Sequence, residues 1–304
     1  MGRIAAYESD VPRPVVKWAG GKAKLADKLV GWMPPKIGTY VEPFCGGGAV
    51  FFRLAAEQER RFDRAVLADK NEHLIALYRA IQRHIDDLAA AVAGYANRFD
   101  ALEPEGQEKL FYEVREKEPP AKDIVARGAR LVFLNKTCYN GLWRENASGK
   151  NNVPFGRYAN PKIFDVCALV AAHRALQDVD LVVDDFEKVT KRLRKDDFVY
   201  FDPPYVPVSK TSNFTAYAKD GFGPKDQERL RDLLGELGQR GVRAMLSNAR
   251  TPDTEELYRD FAREAVPMPR SINSVGNKRG DVEELVVFNH PAAGARVRSR
   301  KVAS

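Results

Sequence analysis

The sequence predicts an α/β fold: a doubly wound sheet with helices on both faces, carrying an inserted, mainly helical domain. Three observations predict it. Short apolar runs of strand character alternate with segments of helical periodicity. A glycine-rich turn separates the first such run from the helix after it. A long polar stretch, rich in Glu, Lys and Arg, then delays the next core strand well beyond the usual short connection.

The elements follow in order. Residues 39–44 (TYVEPF) read as a strand, Cys45-Gly46-Gly47-Gly48 breaks it, and 49–56 (AVFFRLAA) read as a helix. Residues 64–68 form a second strand closed by Asp69. Residues 71–84 place Leu74, Leu77, Tyr78 and Ile81 on one helical face. The departure runs from about 86 to 165 and ends in a loop-rich run, 135–158. Core strands return at 181–183, 198–201, 243–246 and 284–288. The expected organisation is therefore a sheet domain made of 1–85 and 166–290, with 86–165 inserted as a separate domain. The tail 291–304, with Arg296, Arg298, Arg300 and Lys301, lacks apolar residues to bury and reads as disordered.

Composition narrows the function. Hydrophobic residues make up 44% and charged residues 30% of 304, as in an ordinary globular protein. No apolar run reaches the roughly 20 residues of a membrane helix, and the N-terminus has no signal-peptide core. A cytoplasmic, membrane-free protein is expected. Cys45, Cys138 and Cys167 are isolated and the four histidines lack ligand spacing, so no disulfide framework and no metal is expected. The net charge of +7 favours an anionic partner, of which nucleic acid is the commonest.

Two clusters carry candidate chemistry. In EPFCGGG the glycines let backbone approach a ligand closely, which makes Glu42, Phe44, Gly46 and Gly48 candidates to line a cofactor. Asp69, closing the next strand, can accept from both hydroxyls of a ribose; the bland alternative is a helix cap beside Asn71. The run Lys17-Trp18-Ala19-Gly20-Gly21-Lys22 adds a flexible turn, an aromatic plate and two cations, suited to a ligand with a carboxylate and a purine.

The second cluster is Asp202-Pro203-Pro204-Tyr205, directly after an apolar strand, where α/β sheets carry their chemistry. Two prolines fix the backbone and remove two donors. The local polar surface is then dominated by acceptors, beside a flat tyrosine ring. Such a site fits an exocyclic amine on a planar base. Acceptors gripping both N–H bonds free a lone pair otherwise delocalised into the ring, and positioning supplies most of the acceleration. In isolation the same tetrapeptide would serve as a rigid turn.

With these residues in place, the sequence resembles the Dam family of DNA adenine N6-methyltransferases from Val16 to about Phe288. The matching runs, in order, are KWAGGK, EPFCGGGAVFF, LADKNEHLIALY, FLNKTCYNGLWREN, NNVPFGRY, DDF, VYFDPPY, SNFTAYAKDGF, LSNARTP and RSINSVGNKRGDVEELVVF. The resemblance implies a Rossmann-like sheet that uses S-adenosyl-L-methionine as methyl donor. It implies that Trp18, Lys22, Asp69 and Asp202 line the donor's site and that Asp185 and Phe186 meet its adenine ring. It also implies that 202–205 are catalytic, on an adenine flipped out of double-stranded DNA. The inserted domain would read the target, GATC, through Tyr139, Asn140, Leu142, Arg144 and Pro154. Arg144 suits a guanine edge, and Tyr139 or Leu142 suits the gap left by the flipped base. A monomer would suffice, with a weak dimer as the alternative. Lys136, Trp143 and Glu145 depart from commoner family residues, which bears on flanking-sequence preference.

Rival readings are methylation of cytosine N4 or of RNA adenine, and a DNA-binding module that has lost catalysis. The aspartate at the head of the tetrapeptide favours adenine over cytosine, and the intact Lys22, Asp69, Asp202 and Tyr205 favour an enzyme.

Overall fold

The computed structural model describes residues 11–205, 222–268 and 282–291. Residues 212–221 of the SNFTAYAKDGF run, the segment 269–281 and the basic tail from 292 onward lie outside these described residues.

Seven strands form one sheet: β1 (Ile37–Glu42), β2 (Phe62–Ala68), β3 (Val179–Val182), β4 (Phe198–Phe201), β5 (Arg243–Ala249), β6 (Ala262–Met268) and β7 (Val282–Phe288). Their spatial order is β3-β2-β1-β4-β5-β7-β6. The first five run parallel, and β7 enters antiparallel between β5 and β6. The chain winds outward through β2 and β3 on one side of β1 and through β4 and β5 on the other. The reversal of direction lies between β1 and β4.

The central strand β4 is apolar throughout because both faces of the sheet are covered. Phe198, Val199, Tyr200 and Phe201 of β4 are all buried. Alternation sorts them by face. Tyr40, Phe198, Tyr200 and Met245 join one apolar cluster with Phe51 and Leu77. Val41, Val199, Phe201 and Leu246 join a second with Phe186, Leu230, Leu234 and Tyr258.

On the first face lie α1 (Ala26–Gly31), α2 (Ala49–Ala55), α3 (Glu72–Arg83) and α7 (Val166–Ala175). The second face is covered by α8 (Phe186–Thr190), α9 (Pro224–Gln239) and α10 (Pro252–Leu257). Asn71 caps α3 by accepting from the Leu74 amide at 3.0 Å. The stretch expected as an insertion begins with α4 (Ile85–Asp100), α5 (Pro104–Glu116) and α6 (Ile124–Thr137). Helix α6 is buried on all sides from Arg127 to Asn135. A Cβ on Gly128 would come within 3.2 Å of the Leu77 Cα, so glycine lets α6 lie close against α3. Leu88, Val92, Phe99, Phe111 and Phe133 continue the apolar cluster that holds Phe51 and Leu77.

Element ends differ from the sequence reading for local reasons. The strand expected at 39–44 spans Ile37–Glu42, since Pro43 has no amide to continue the ladder. The strand expected at 284–288 starts at Val282 and is antiparallel. Strand β6 has no signature in the sequence. Its residues AREAVPM carry two charges and a proline, which an edge strand tolerates.

Candidate active site

The glycine turn follows β1 and the Asp-Pro-Pro-Tyr turn follows β4, so the two flank the point where strand order reverses. Open α/β sheets bind ligands in that crevice. Gly46 has φ +47 and Gly48 φ +70, the left-handed conformation that favours glycine. A Cβ on Gly46 would also sit 2.8 Å from Trp18 Cδ1. The indole therefore lies on the turn, which joins the 17–22 loop to the end of β1. The Gly46 carbonyl accepts from the Tyr78 hydroxyl at 2.7 Å. The Gly46 amide donates to Asp69 Oδ2 at 3.0 Å, and the Asn71 amide donates to Asp69 Oδ1 at 2.9 Å. Asp69 thus braces the turn, while the cap of α3 is Asn71. Burial raises the Asp69 carboxyl above its usual range, against the pull of these amide bonds.

Lys22 is the hub of the site. Its side chain is 2% exposed, and Nζ donates to Asp202 Oδ1 at 2.6 Å and to the Gly20 carbonyl at 2.9 Å. It lies 3.4 Å from Glu284 Oε1 and 4.7 Å from the centre of the Tyr205 ring. Burial works against the ammonium charge, but Asp202 and Glu284 outweigh it and raise the Lys22 pKa. Burial pushes Asp202 up to about 6, with Lys22 opposing and Glu284 assisting. Burial also pushes Glu42 up to about 8, although the Tyr40 hydroxyl donates to it at 2.7 Å. Glu42 is therefore largely protonated at neutral pH. The Tyr205 hydroxyl donates to Glu284, and burial holds it far above its ordinary range.

The prolines stand as their positions require. Pro203 is buried and Pro204 exposed, with Tyr205 partly so. Gln227 Nε2 donates to the Pro204 carbonyl at 3.2 Å. Gln227 Oε1 in turn accepts from Asn248 Nδ2 at 3.1 Å, so a buried amide pair holds the turn from behind.

Other expected cofactor residues lie at the flank. Phe44 packs on Phe186 with ring centres 5.4 Å apart and meets Phe222 edge-on at 5.5 Å. Phe186 is 1% exposed, beneath the Arg229 guanidinium. Asp185 caps α8 through the Glu187 amide and pairs with Lys70 at 3.2 Å and Arg229 at 3.1 Å.

The expected recognition residues gather on one surface. Tyr139, Asn140, Arg144 and Pro154 are exposed and Leu142 half-buried, while Trp143 beneath them is buried and donates to Glu145 at 2.7 Å. Isolated bridges, Cys138 to Phe155 and Glu145 to Asn151, close this segment in place of continuous strands. The Tyr139 amide donates to the Pro154 carbonyl at 2.9 Å. Asn140 has φ +57, and its amide donates to the Tyr158 hydroxyl oxygen at 2.8 Å. Arg144 Nε donates to Asn152 Oδ1 at 2.7 Å.

Asn135 ties this surface to the site. Its side chain accepts from the Lys17 amide at 2.9 Å and donates to the carbonyls of Lys17 and Gly141, each at 2.8 Å. Asn135, Gln227 and Glu284 all escape a reading by local motif. For Glu284 the available signal is a carboxylate at the head of an otherwise apolar strand.

Chemically, the site offers a charged acceptor, a flat ring and a glycine-lined turn with an acidic neighbour. Among the described residues no group of three His, Cys, Asp or Glu is placed to hold a metal, and no helix is long and apolar enough to cross a membrane.

Residues 18–272 match the model of the D12 class of N6 adenine-specific DNA methyltransferases. The type II methyltransferase M.MjaIII of Methanocaldococcus jannaschii is 40% identical, over 91% of this chain and 99% of its own. The type II methyltransferase M1.LlaDCHI of Lactococcus lactis subsp. cremoris is 36% identical, over 91% and 95%. The DNA adenine methylase of Escherichia coli K12 is 34% identical, over 92% and 96%. The chain belongs to the D12 class of N6 adenine-specific DNA methyltransferases.

Proposed function

We propose that this methyltransferase takes its methyl group from S-adenosylmethionine and delivers it to an adenine flipped out of double-stranded DNA, with GATC as target. The observation that carries the reading is that Asp202, on its proline-locked turn, and the glycine turn follow the neighbouring strands β4 and β1 at the sheet's reversal point. The residues present fit the donor. Gly46 and Gly48 bring backbone against the ligand where a Cβ would strike Trp18 or Phe52. Asp69 keeps further acceptor capacity for ribose hydroxyls. Bound S-adenosylmethionine supplies an electrophilic methyl on a sulfonium.

The chain's own residues do the rest. Lys22 holds Asp202 through Oδ1, and Oδ2 would accept one N–H of the amine. The Pro204 carbonyl is engaged by Gln227, and the Pro203 carbonyl would serve as the second acceptor. Both bonds strengthen as the nitrogen turns tetrahedral, so they favour the transition state. The Tyr205 ring, held at its hydroxyl, stacks on the base.

Residues 86–165 would act as the target-recognition domain. The exposed face of Tyr139, Asn140, Arg144 and Pro154 would meet the duplex, with the half-buried Leu142 beside it. Arg144, bonded to Asn152 through Nε, would offer its guanidinium to a guanine edge. The GATC reading rests on the resemblance of CYNGL, Arg144 and NVPFGRY to the Dam family. One monomer carries all these parts, and its place of action would be cytoplasmic, on the nucleoid. Labelled methyl transfer to unmethylated duplexes tests the proposal. Incorporation is expected with GATC and should fall at least tenfold with any single-base variant. Equal incorporation without GATC would overturn the target, and no incorporation from S-adenosylmethionine would overturn the donor.

A further inference from the structure

The D12 family accounts for the proline turn and the glycine turn, but Glu284 comes from neither. It sits on β7, the antiparallel strand, paired with Ala249 of β5. Its carboxylate is 3% exposed, accepts from the Tyr205 hydroxyl and lies 3.4 Å from Lys22 Nζ. A buried carboxylate is costly to desolvate and persists only where partners compensate. Among the described residues the cation facing it is Lys22, which already serves Asp202 at 2.6 Å. One ammonium therefore faces two carboxylates in a closed setting, and Glu42, largely protonated at neutral pH, adds no further negative charge there.

We propose that Glu284 is a positioning residue that gives the site its net negative charge, and that this charge makes the site prefer a cationic methyl donor to its neutral demethylated product. The inference rests on the S-adenosylmethionine reading above. In the transfer, the S–CH3 bond breaks with its electron pair staying on sulfur. The N–CH3 bond forms from the amine's lone pair, and the amine's proton leaves to solvent or Asp202. The cation thus moves from sulfur to nitrogen and then departs as a proton. With Glu284 absent, the charges of Lys22 and Asp202 would offset one another and the field favouring the cationic forms would weaken. Poor screening in a buried site lets that field act without direct contact. Through its bond to the Tyr205 hydroxyl, the same carboxylate also fixes the ring expected to stack on the base.

The test measures dissociation constants of the full-length protein for S-adenosylmethionine and for S-adenosylhomocysteine, which lacks the methyl and the charge. Glu284→Gln keeps size and an acceptor for Tyr205 while removing the charge. It is expected to weaken S-adenosylmethionine relative to S-adenosylhomocysteine by at least fivefold, with the latter nearly unchanged. Glu284→Asp keeps the charge and is expected to retain the wild-type ratio. Equal weakening of both ligands by Glu284→Gln would mean a structural role only and would overturn the proposal, as would loss of the ratio in Glu284→Asp. A wild-type protein that binds neither ligand would instead overturn the donor assignment beneath it.

Discussion

At the scale of single residues, the site depends on atoms that must be missing as much as on atoms present. Gly46 combines a left-handed φ of +47 with a hypothetical Cβ only 2.8 Å from Trp18 Cδ1. Neither the backbone nor the indole can yield without moving the other, because the Gly46 amide and carbonyl are bonded to Asp69 and Tyr78. Gly46→Ala should therefore cost about 1–2 kcal/mol for the backbone conformation alone and displace Trp18 from the turn. The expected result is a loss of cofactor affinity of at least tenfold, read by calorimetry, with a modest fall in thermal midpoint. Unchanged affinity would show that the turn is a structural feature without a ligand. This part of the site was legible in the sequence because a strand, three glycines and a helix are contiguous. Phe186 was legible only in part. Its expected place near the cofactor comes from the family resemblance, whereas its contact with Phe44 and its burial under Arg229 of α9 are set by elements far apart in the chain.

At the scale of elements, the informative contact is between the loop before β1 and the end of α6. Asn135 reaches from α6 to both sides of Lys17 and to the Gly141 carbonyl, while Gly141 packs so closely that a Cβ would lie 2.8 Å from Lys17 Cδ. The surface turn at 139–142 and the loop carrying Trp18 and Lys22 thus share one clamp. Asn135→Ala would leave the partly buried Lys17 amide and carbonyl and the buried Gly141 carbonyl short of partners, at roughly 1–3 kcal/mol for a group that water cannot reach. Cofactor affinity and discrimination among single-base DNA variants should then worsen together, as a shared support requires. Loss of one with the other intact would show that the two elements are held independently. The sequence displays Asn135 inside FLNKT, yet nothing local marks it. Its partners lie 118 residues away in one direction and 6 in the other. The same reason hid Glu284 and β6: each becomes functional or regular only through antiparallel pairing late in the chain.

At the scale of the whole molecule, the buried charges of the site leave a signature in stability against pH. Folding raises Glu42 from 4.5 to about 8 and Asp202 from 3.8 to about 6. Groups raised in this way bind protons in the folded chain that the unfolded chain has released. Their contribution to stability is complete below the unfolded value and is lost as pH rises through the folded value. His73 and His290 act in the opposite sense, since burial lowers each from 6.5 to about 4, so their contribution is lost as pH falls through that interval. Below about pH 6.5 the two effects oppose one another and mask any simple slope. Between about pH 7.25 and 8 the histidines are nearly all neutral in both states and Asp202 is nearly all ionised. Among these four groups, Glu42 then dominates proton exchange on folding. Stability should fall across that interval by at most about 1 kcal/mol, the linkage value for one proton over about 0.75 pH units. Glu42→Gln keeps the shape and an acceptor for the Tyr40 hydroxyl while removing the titration. Denaturant midpoints at pH 7.25, 7.6 and 8 should decline in the wild-type protein and stay nearly level in the variant. A decline of the same size in both would place the proton elsewhere. The expected result would show that the carboxyl closing β1 stands neutral beside Lys22 and Asp202, which is the electrostatic condition under which the remaining carboxylates set the charge of the site.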